Sequence, residues 1–185
     1  MAGGGVFVHF DNISGKKAEV YVDTEVHNSG KRTRTVAVET VLADAGDVPV
    51  KRVSQQVKLQ AGESKTVRQR FAVRNPKLWS PDSPYLYRIQ SRVKAGHEVL
   101  DGGVTRVGIR KAEFKGKDGF WLNGKPFGQL VGANRHQDFA YVGNALPNSQ
   151  QWRDAKRLRD AGCTIIRVAH YPQDPAFMDA CDEMG

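Results

Sequence analysis

The sequence predicts two folds in a chain of 185 residues: an antiparallel β-sandwich of immunoglobulin type over residues 1–111, and a parallel α/β segment over residues 112–185. Three observations predict this division. Apolar and polar residues alternate in the first part, the alternation stops near Lys111, and two unalternating apolar runs, each followed by a helical pattern, occupy the second part.

The first part contains about seven short segments in which every second residue is apolar. Near its start, Val20, Val22 and Val26 alternate with polar neighbours and end at the turn 28–30. Successive strand side chains point to opposite faces, so this alternation is typical of half-buried strands. Short strands separated by turn-forming residues favour a sandwich, and because the Cys…Trp…Cys spacing of antibody domains is absent, the kinship is architectural.

The second part opens with a hairpin, a strand and a helix. Asn123–Gly124 predicts a tight type I′ turn, because both residue types accept positive φ. The apolar run 127–133 is predicted to be a buried strand. One helical face follows, made of Trp152, Ala155, Leu158 and Ala161. We expect Asn148 or Ser149 to cap the start of this helix and Gly162 to end it.

A second strand and helix repeat this order. The apolar run 164–168 predicts another buried strand, and 174–184 predicts a second helix. Strands that are covered on both faces and separated by helices pair in parallel. In such folds the polar residues at the carboxyl ends of the strands line the functional site.

Polar side chains occupy both predicted strand ends. They are Asn134, Arg135, His136, Gln137 and Asp138 at the first end, and Arg167, His170 and Tyr171 at the second. An amide, imidazoles, guanidinium groups and a phenol offer many directed hydrogen bonds, which suits a polyhydroxylated ligand. A single strand-end histidine is more often structural, but two strand ends of this kind favour a site.

Arg167 directly follows Ile165 and Ile166, and an unpaired guanidinium is costly to bury. We therefore expect Arg167 to be paired with a carboxylate or a ligand. The partner is expected either outside this sequence or among the carboxylates that follow, which are Asp174, Asp179, Asp182 and Glu183.

Composition and charge narrow the classes of partner. The net charge is +8, and residues 1–111 hold 19 Lys and Arg against 11 Asp and Glu, whereas residues 112–185 hold nine of each. The charges are scattered singly without an aromatic platform, which favours a solvated sandwich face over a nucleic-acid site. No apolar run approaches the ~18 residues of a membrane span. We expect neither nucleic acid nor a membrane as a partner.

Other motifs are absent from the sequence. It contains no Gly-x-Ser-x-Gly elbow, no phosphate-binding glycine loop and no zinc-ligand spacing, so we expect no cofactor and no metal. Cys163 and Cys181 are predicted to be buried free thiols and define no compartment. The start, MAGGG, is interpreted as an initiator methionine with a short cloning-derived stretch rather than a signal peptide.

Three segments resemble glycoside hydrolase family 2, the group of β-galactosidases, β-glucuronidases and β-mannosidases. Leu78–Tyr87, followed by Val107–Arg110, is similar to the end of the family's immunoglobulin-like domain. Phe120–Asp138 is similar to the entry into its (β/α)₈ TIM barrel, and Ile165–Gly185 to a family motif around Arg, His-Tyr-Pro and Asp-x-x-Gly. The resemblance implies a sandwich followed by the first two βα units of a barrel.

The resemblance also implies a function and roles for residues. His136, Arg167 and His170 match positions that hold sugar hydroxyls, and Asn134 and Tyr171 match neighbours in the same pocket. The family is expected to act on β-linked glycosides with retention, through a carboxylic acid/base and a carboxylate nucleophile. The acid/base follows an Asn in the family, but this chain has no Asn-Glu pair, and only 74 residues follow Lys111 where a barrel takes ~250. We therefore expect a fragment without catalytic residues and without turnover.

Two other functions stay open at this point. The basic sandwich could bind an acidic glycan or a partner protein, or it could serve only to support the barrel. The apolar edges of two barrel strands also predict self-association of residues 112–185.

Overall fold

The computed structural model describes residues 5–185, so Met1–Gly4 of the predicted cloning-derived start lie outside the described residues. The chain forms two compact units. The first comprises the described residues up to Leu78 together with Leu86–Ile109, and the second comprises Trp79–Tyr85 together with Arg110–Gly185.

The first unit is the predicted antiparallel sandwich. Its strands are β1 (Val6–Asp11), β2 (Lys17–His27), β3 (Arg34–Ala43), β4 (Pro49–Leu59), β5 (Ser64–Arg74), β6 (Tyr87–Ala95) and β7 (Glu98–Val107). They form a three-stranded sheet in the order β1-β2-β5 and a four-stranded sheet in the order β4-β3-β6-β7. The alternation read from the sequence therefore corresponds to real strands with one buried face.

Valines from both sheets fill the space between them. Val26 and Val67 of the first sheet pack with Val36, Val38 and Val93 of the second, and all are nearly inaccessible to solvent. Burial of side chains of this size is worth about 1.5–3 kcal/mol each.

A buried polar link also joins the two sheets. The Thr40 hydroxyl donates to Gln69 Oε1 at 2.6 Å, and Gln69 Nε2 donates to the Val38 carbonyl at 2.9 Å. This pair of hydrogen bonds satisfies polar groups that would otherwise be costly to bury.

The outer face of the first sheet carries several ion pairs. Arg68 makes two hydrogen bonds of 2.7 and 2.6 Å to the Asp23 carboxylate. Glu19 contacts Lys17 at 2.9 Å and Arg70 at 2.7 Å. The hydrogen bond from Lys17, followed by those from Asn12 and Arg70, lowers the pKa of Glu19 to about 2. Part of the positive charge of the sandwich is thus neutralised locally.

The low pKa of Glu19 predicts acid-sensitive stability. Unfolding releases this carboxyl to its ordinary pKa of 4.5, so its stabilising contribution is complete above pH 4.5 and is lost as the pH falls toward about 2. We expect the urea midpoint of the first unit, followed by circular dichroism, to drop between pH 4.5 and 2. In Glu19→Gln this part of the drop should be missing. An identical pH profile for both proteins would contradict the assignment.

The second unit begins with a small antiparallel sheet. It consists of β8 (Ala112–Phe114), β9 (Phe120–Leu122) and β10 (Lys125–Pro126), with a 3₁₀ turn at Gly116–Asp118. β9 and β10 are joined by Asn123 and Gly124, whose φ angles are 53° and 78°. The predicted two-residue turn with positive φ at both positions is confirmed.

Two strand–helix pairs follow: β11 (Gly132–Arg135), α1 (Asn148–Asp160), β12 (Ile165–Val168) and α2 (Pro175–Met184). β11 and β12 pair in parallel, as the sequence predicts. Gly162, with φ of 83°, follows the end of α1 as expected, and the Asp174 carboxylate caps α2 by accepting from the Ala176 amide at 2.8 Å.

Three expectations about this unit are wrong. Pro147 precedes α1 and no side chain caps the helix, because Asn148 is already its first residue. The first strand begins at Gly132 rather than at Phe127, so Asn134 and Arg135 lie within it. Burial of the second strand is also incomplete, since Ile165 is 44% and Val168 38% exposed.

α1 and α2 pack against each other through a small apolar cluster. Ala155, Phe177 and Ala180 form its centre, and Trp152 and Leu158 pack around them. The thiols Cys163 and Cys181 are free but only partly buried, which corrects the prediction of full burial. Burial nonetheless raises the pKa of the Cys181 thiol. No helix in residues 5–185 is long and apolar enough to cross a membrane.

The segment Trp79–Tyr85 belongs to the second unit although it lies between β5 and β6 in sequence. Trp79 Nε1 donates to the Asp182 carbonyl at 2.7 Å, and the Arg110 guanidinium lies 4.6 Å from the Trp79 ring centroid. Asn123 Nδ2 donates to the Trp79 carbonyl at 2.9 Å. These contacts tie the segment to α2 and to the hairpin turn.

Candidate functional site

The carboxyl ends of β11 and β12 carry the residues that the sequence singles out. In the parallel register Asn134 is the partner of Arg167, so their side chains lie on the same face of the strand pair. Both line an open recess of about 470 Å³, together with Leu130, Gly132 and Ile165. The structure therefore brings Asn134 and Arg167 to one surface.

The loops beyond the strands place three further residues close together. The His136 and His170 rings have centroids 5.4 Å apart and meet edge to face at 80°. The Tyr171 ring lies 6.3 Å from the His136 ring at 63° and is 37% exposed. Both histidines are exposed, and the Ala169–His170 peptide bond is cis. All five predicted site residues thus lie at the ends of the same two strands.

Of the partners expected for Arg167, a carboxylate within this sequence is not found among the described residues. The Arg167 side chain is exposed at the recess, and among residues 5–185 it forms no ion pair and no hydrogen bond. Of the carboxylates considered, Asp174 caps α2 and Asp182 pairs with Arg110 at 3.6 Å. An exposed guanidinium is hydrated, so its presence after two isoleucines costs little.

Arg135 is the guanidinium that is buried. It follows Asn134 in β11, points to the opposite face and is 6% exposed. One of its terminal nitrogens donates to Gln151 Oε1 at 2.7 Å and to Asp154 at 2.9 Å, and the other donates to Gln173.

Two further contacts surround the Arg135 guanidinium, whose Nε is buried without a hydrogen-bond partner among the described residues. Its guanidinium carbon lies 4.0 Å from the Phe177 ring centroid. Gln150 Nε2 donates to the second oxygen of Asp154 at 2.8 Å, so both oxygens of that carboxylate have donors. Together these contacts join the strand to both helices behind the recess.

The loops after the strands are bonded to each other. The Gln137 amide donates to the Tyr171 hydroxyl at 2.9 Å, and Gln137 Oε1 accepts from the Asp174 amide at 2.6 Å. The Ala169 amide donates to the Arg135 carbonyl at 2.9 Å. The relative position of His136 and His170 is therefore set by hydrogen bonds in the layer beneath and beside them.

The residues behind the site left a signal in the sequence. Gln151 and Asp154 lie on the face of α1 that also carries Ala155 and Leu158, where apolar residues are expected. A glutamine and an aspartate on such a face indicate a buried polar partner. The sequence pattern by itself identifies Arg135 and Gln137 only as strand-end residues and does not reveal this network.

The site is a surface rich in hydrogen-bond donors. Arg167, Asn134 and the two histidines can bind hydroxyl oxygens by directed hydrogen bonds. No carboxylate lines the recess that the described residues form. Within residues 5–185 there is also no group of three His, Cys, Asp or Glu side chains placed to hold a metal ion.

Family models match almost the whole chain. The model of "Glycosyl hydrolases family 2" matches residues 5–110, and that of "Glycosyl hydrolases family 2, TIM barrel domain" matches residues 113–185.

Individual proteins agree with these matches. A β-galactosidase of Thermoanaerobacter pseudethanolicus is 35% identical over 97% of this chain and 24% of its own length. A putative β-glucuronidase of Formosa agariphila is 36% identical over 94% of this chain and 20% of its own length. The chain thus spans about a quarter or less of these relatives.

Solved structures show the same relationship. A putative β-galactosidase from Bacteroides fragilis superposes with a TM-score of 0.94 at 31% identity, covering 100% of this chain and 27% of its own. A β-glucuronidase of Bacteroides uniformis superposes with a TM-score of 0.92 at 30% identity, covering 98% of this chain and 22% of its own.

Proposed function

Because the chain belongs to glycosyl hydrolase family 2, we propose that it supplies the sandwich and part of the sugar-binding wall of a retaining β-glycosidase. The observation that carries this proposal is the pairing of Asn134 with Arg167 at one recess, with His136 and His170 directly beyond it. The substrate is proposed to be a β-linked glycoside. The relatives named β-galactosidase and β-glucuronidase support this class.

The proposed roles follow from the chemistry of each side chain. Arg167 donates from a fixed planar fork, which suits adjacent sugar hydroxyls or a uronate carboxylate. Asn134 both donates and accepts at the same face. His136 and His170 hold hydroxyls at the rim, and Tyr171 belongs to the same pocket. Such a donor set binds and orients a sugar but supplies no nucleophile.

Sugar binding tests this proposal directly. Saturation-transfer NMR with methyl β-galactoside and methyl β-glucuronide should show contact with the unmodified chain and lose it in Arg167→Ala. Arg157→Ala is the matched control, because it removes the same charge from an exposed position of α1. Equal transfer in both variants, or none in the unmodified chain, would contradict the proposed role of Arg167.

We expect no hydrolysis by the 185-residue chain. Loss of a general acid/base alone costs roughly 10²–10⁴-fold in rate, and no carboxylate lines the recess of the described residues. Chromogenic β-galactoside, β-glucuronide and β-mannoside should each be turned over at the buffer rate. Turnover above that rate by purified chain, lost in Arg167→Ala, would overturn this expectation.

Self-association is the proposed behaviour of the second unit. Ile165, Val168 and Met178 are 38–50% exposed, and they line a largely apolar groove of about 220 Å³. Apolar surface of this kind favours contact with a second copy. Light scattering should give a mass above that of the monomer, reduced in Met178→Glu. A monodisperse monomer at high concentration would contradict the proposal.

Binding of an acidic glycan by the sandwich has less support. Arg52, Arg68 and Arg70, on the outer faces of the sheets, are each within 3.2 Å of a carboxylate oxygen. These ion pairs reduce the charge available to a polyanion.

A further inference from the structure

Gln137 contacts the second loop with both its main chain and its side chain. Its amide donates to the Tyr171 hydroxyl at 2.9 Å, and its Oε1 accepts from the Asp174 amide at 2.6 Å. Asp174 is the N-cap residue of α2. One partly buried residue therefore joins the loop after β11 to the loop after β12 and to the start of a helix.

Along residues 134–137, residues that bond to the loop after β12 alternate with residues proposed to contact the sugar. Arg135 and Gln137 each contact the second loop, Arg135 through its carbonyl and its guanidinium and Gln137 as described. The side chains of Asn134 and His136, the intervening residues, form no hydrogen bond among residues 5–185. Residues that hold the loops together therefore alternate with Asn134, which lines the recess, and His136, which is exposed beyond it.

The Tyr171 hydroxyl is already used by the protein, because it accepts a hydrogen bond from a main-chain amide. Its ring stands against His136 at a centroid distance of 6.3 Å. Neither imidazole forms a hydrogen bond within the described part of the chain, so the 5.4 Å spacing of His136 and His170 depends on the loops that carry them. Tyr171 is placed to act through His136.

We propose that Gln137 and Tyr171 are positioning residues that fix His136 edge to face with His170. The geometry stands on the contacts above, but its importance for sugar binding rests on the proposed function, in which both imidazoles bind sugar hydroxyls. It assigns Tyr171 a role other than direct contact with the sugar. It also adds Gln137, which the family resemblance did not single out, to the residues that determine the site.

NMR of the full 185-residue chain tests the geometry without any ligand. In the unmodified chain the ring protons of His136 and His170 should give a nuclear Overhauser contact, as their centroid spacing requires. Gln137→Ala and Tyr171→Phe should each weaken this contact several-fold. Gln137→Glu should restore it, because a carboxylate oxygen can still accept from the Asp174 amide and is favoured at a helix N-terminus.

Gln150→Ala is the matched control. Gln150 also makes one glutamine hydrogen bond, to Asp154 at 2.8 Å, but it does not join the loops. Its loss should shift the melting temperature about as much as Gln137→Ala and leave the contact between the imidazoles unchanged. If Gln137→Ala does not fold, Tyr171→Phe, which keeps the ring and removes only the hydroxyl, decides the question.

Two outcomes overturn the inference: an unchanged contact in Tyr171→Phe, or equal loss in Gln150→Ala and Gln137→Ala. Titration with methyl β-galactoside and methyl β-glucuronide separates this from the proposed function. We expect the same variants to bind these sugars several-fold more weakly. Loss of the imidazole contact in a chain that binds neither sugar would leave the positioning role intact and reject the sugar-binding role.

Discussion

Arg135→Met is expected to lower the free energy of unfolding of the second unit by about 3 kcal/mol. The substitution leaves Asp154 without its cation and Gln151 and Gln173 without the donor that their Oε1 atoms face. It also removes the guanidinium that stacks on Phe177. The Asp154 side chain is 26% exposed, so water partly solvates the carboxylate that loses its cation. The loss of unfolding free energy should therefore lie at the lower end of the range for broken buried ion pairs.

Lys156→Met is the control for Arg135→Met. Lys156 pairs with Asp160 at 2.6 Å on the same helix, but both side chains are more than half exposed. Such a pair is worth less than about 0.5 kcal/mol. Tryptophan fluorescence during urea unfolding is the measurement, because Trp79, Trp121 and Trp152 all lie in the second unit. Equal losses in the two variants would show that the buried network contributes no special stability.

Gly132→Ala should destabilise the same unit by about 3 kcal/mol, the upper end of the cost of overpacking. A Cβ at Gly132 would collide with the Ile165 carbonyl oxygen on the paired strand. The new Cβ is fixed to the main chain of β11 and the oxygen belongs to the main chain of β12, so no side-chain rotation relieves the collision. The strands must separate, and the register that sets Asn134 beside Arg167 is lost with them.

Hydrogen exchange and fluorescence together test Gly132→Ala. The Ala169 amide, which donates to the Arg135 carbonyl, should lose its protection along with the stability of the unit. Gly15→Ala is the control in the first unit, since no atom beyond its chain neighbours lies within 4 Å of a Cβ at that position, and circular dichroism should show a change in stability of less than about 0.5 kcal/mol. Retained Ala169 protection in Gly132→Ala would be incompatible with the close approach of the two strands.

Elements with strong local chemistry were predictable from the sequence. Asn123–Gly124 formed the expected turn because both residues tolerate positive φ, which needs no tertiary contact. The sandwich strands followed from alternation, which records a buried and an exposed face directly. The helices followed from apolar residues three or four positions apart. In each case the deciding interaction lies within a few residues.

The errors concern burial, which depends on residues distant in the sequence. Arg167 and Arg135 each come after apolar or small residues, and the sequence does not show which one faces the helices. The register of β11 with β12 decides it, by placing Arg135 against Gln151 and Gln173 and leaving Arg167 at the recess. The missing cap of α1 has a similar origin, because the helix begins at the residue that was expected to precede it.

The alternation within β11 has a consequence for how such sites diversify. Side chains on a strand alternate between its two faces, so deleting or inserting one residue between Gly132 and Asn134 would reverse the faces of the residues that follow. The Asn134 amide would leave the recess, and the Arg135 guanidinium would leave its partners on the helices. Changes of length inside the strand therefore damage recognition and stability at the same time. Variation in sugar preference among related chains should accordingly arise through point substitutions within the strands, and through gains or losses of residues only in the segment between Asp138 and α1.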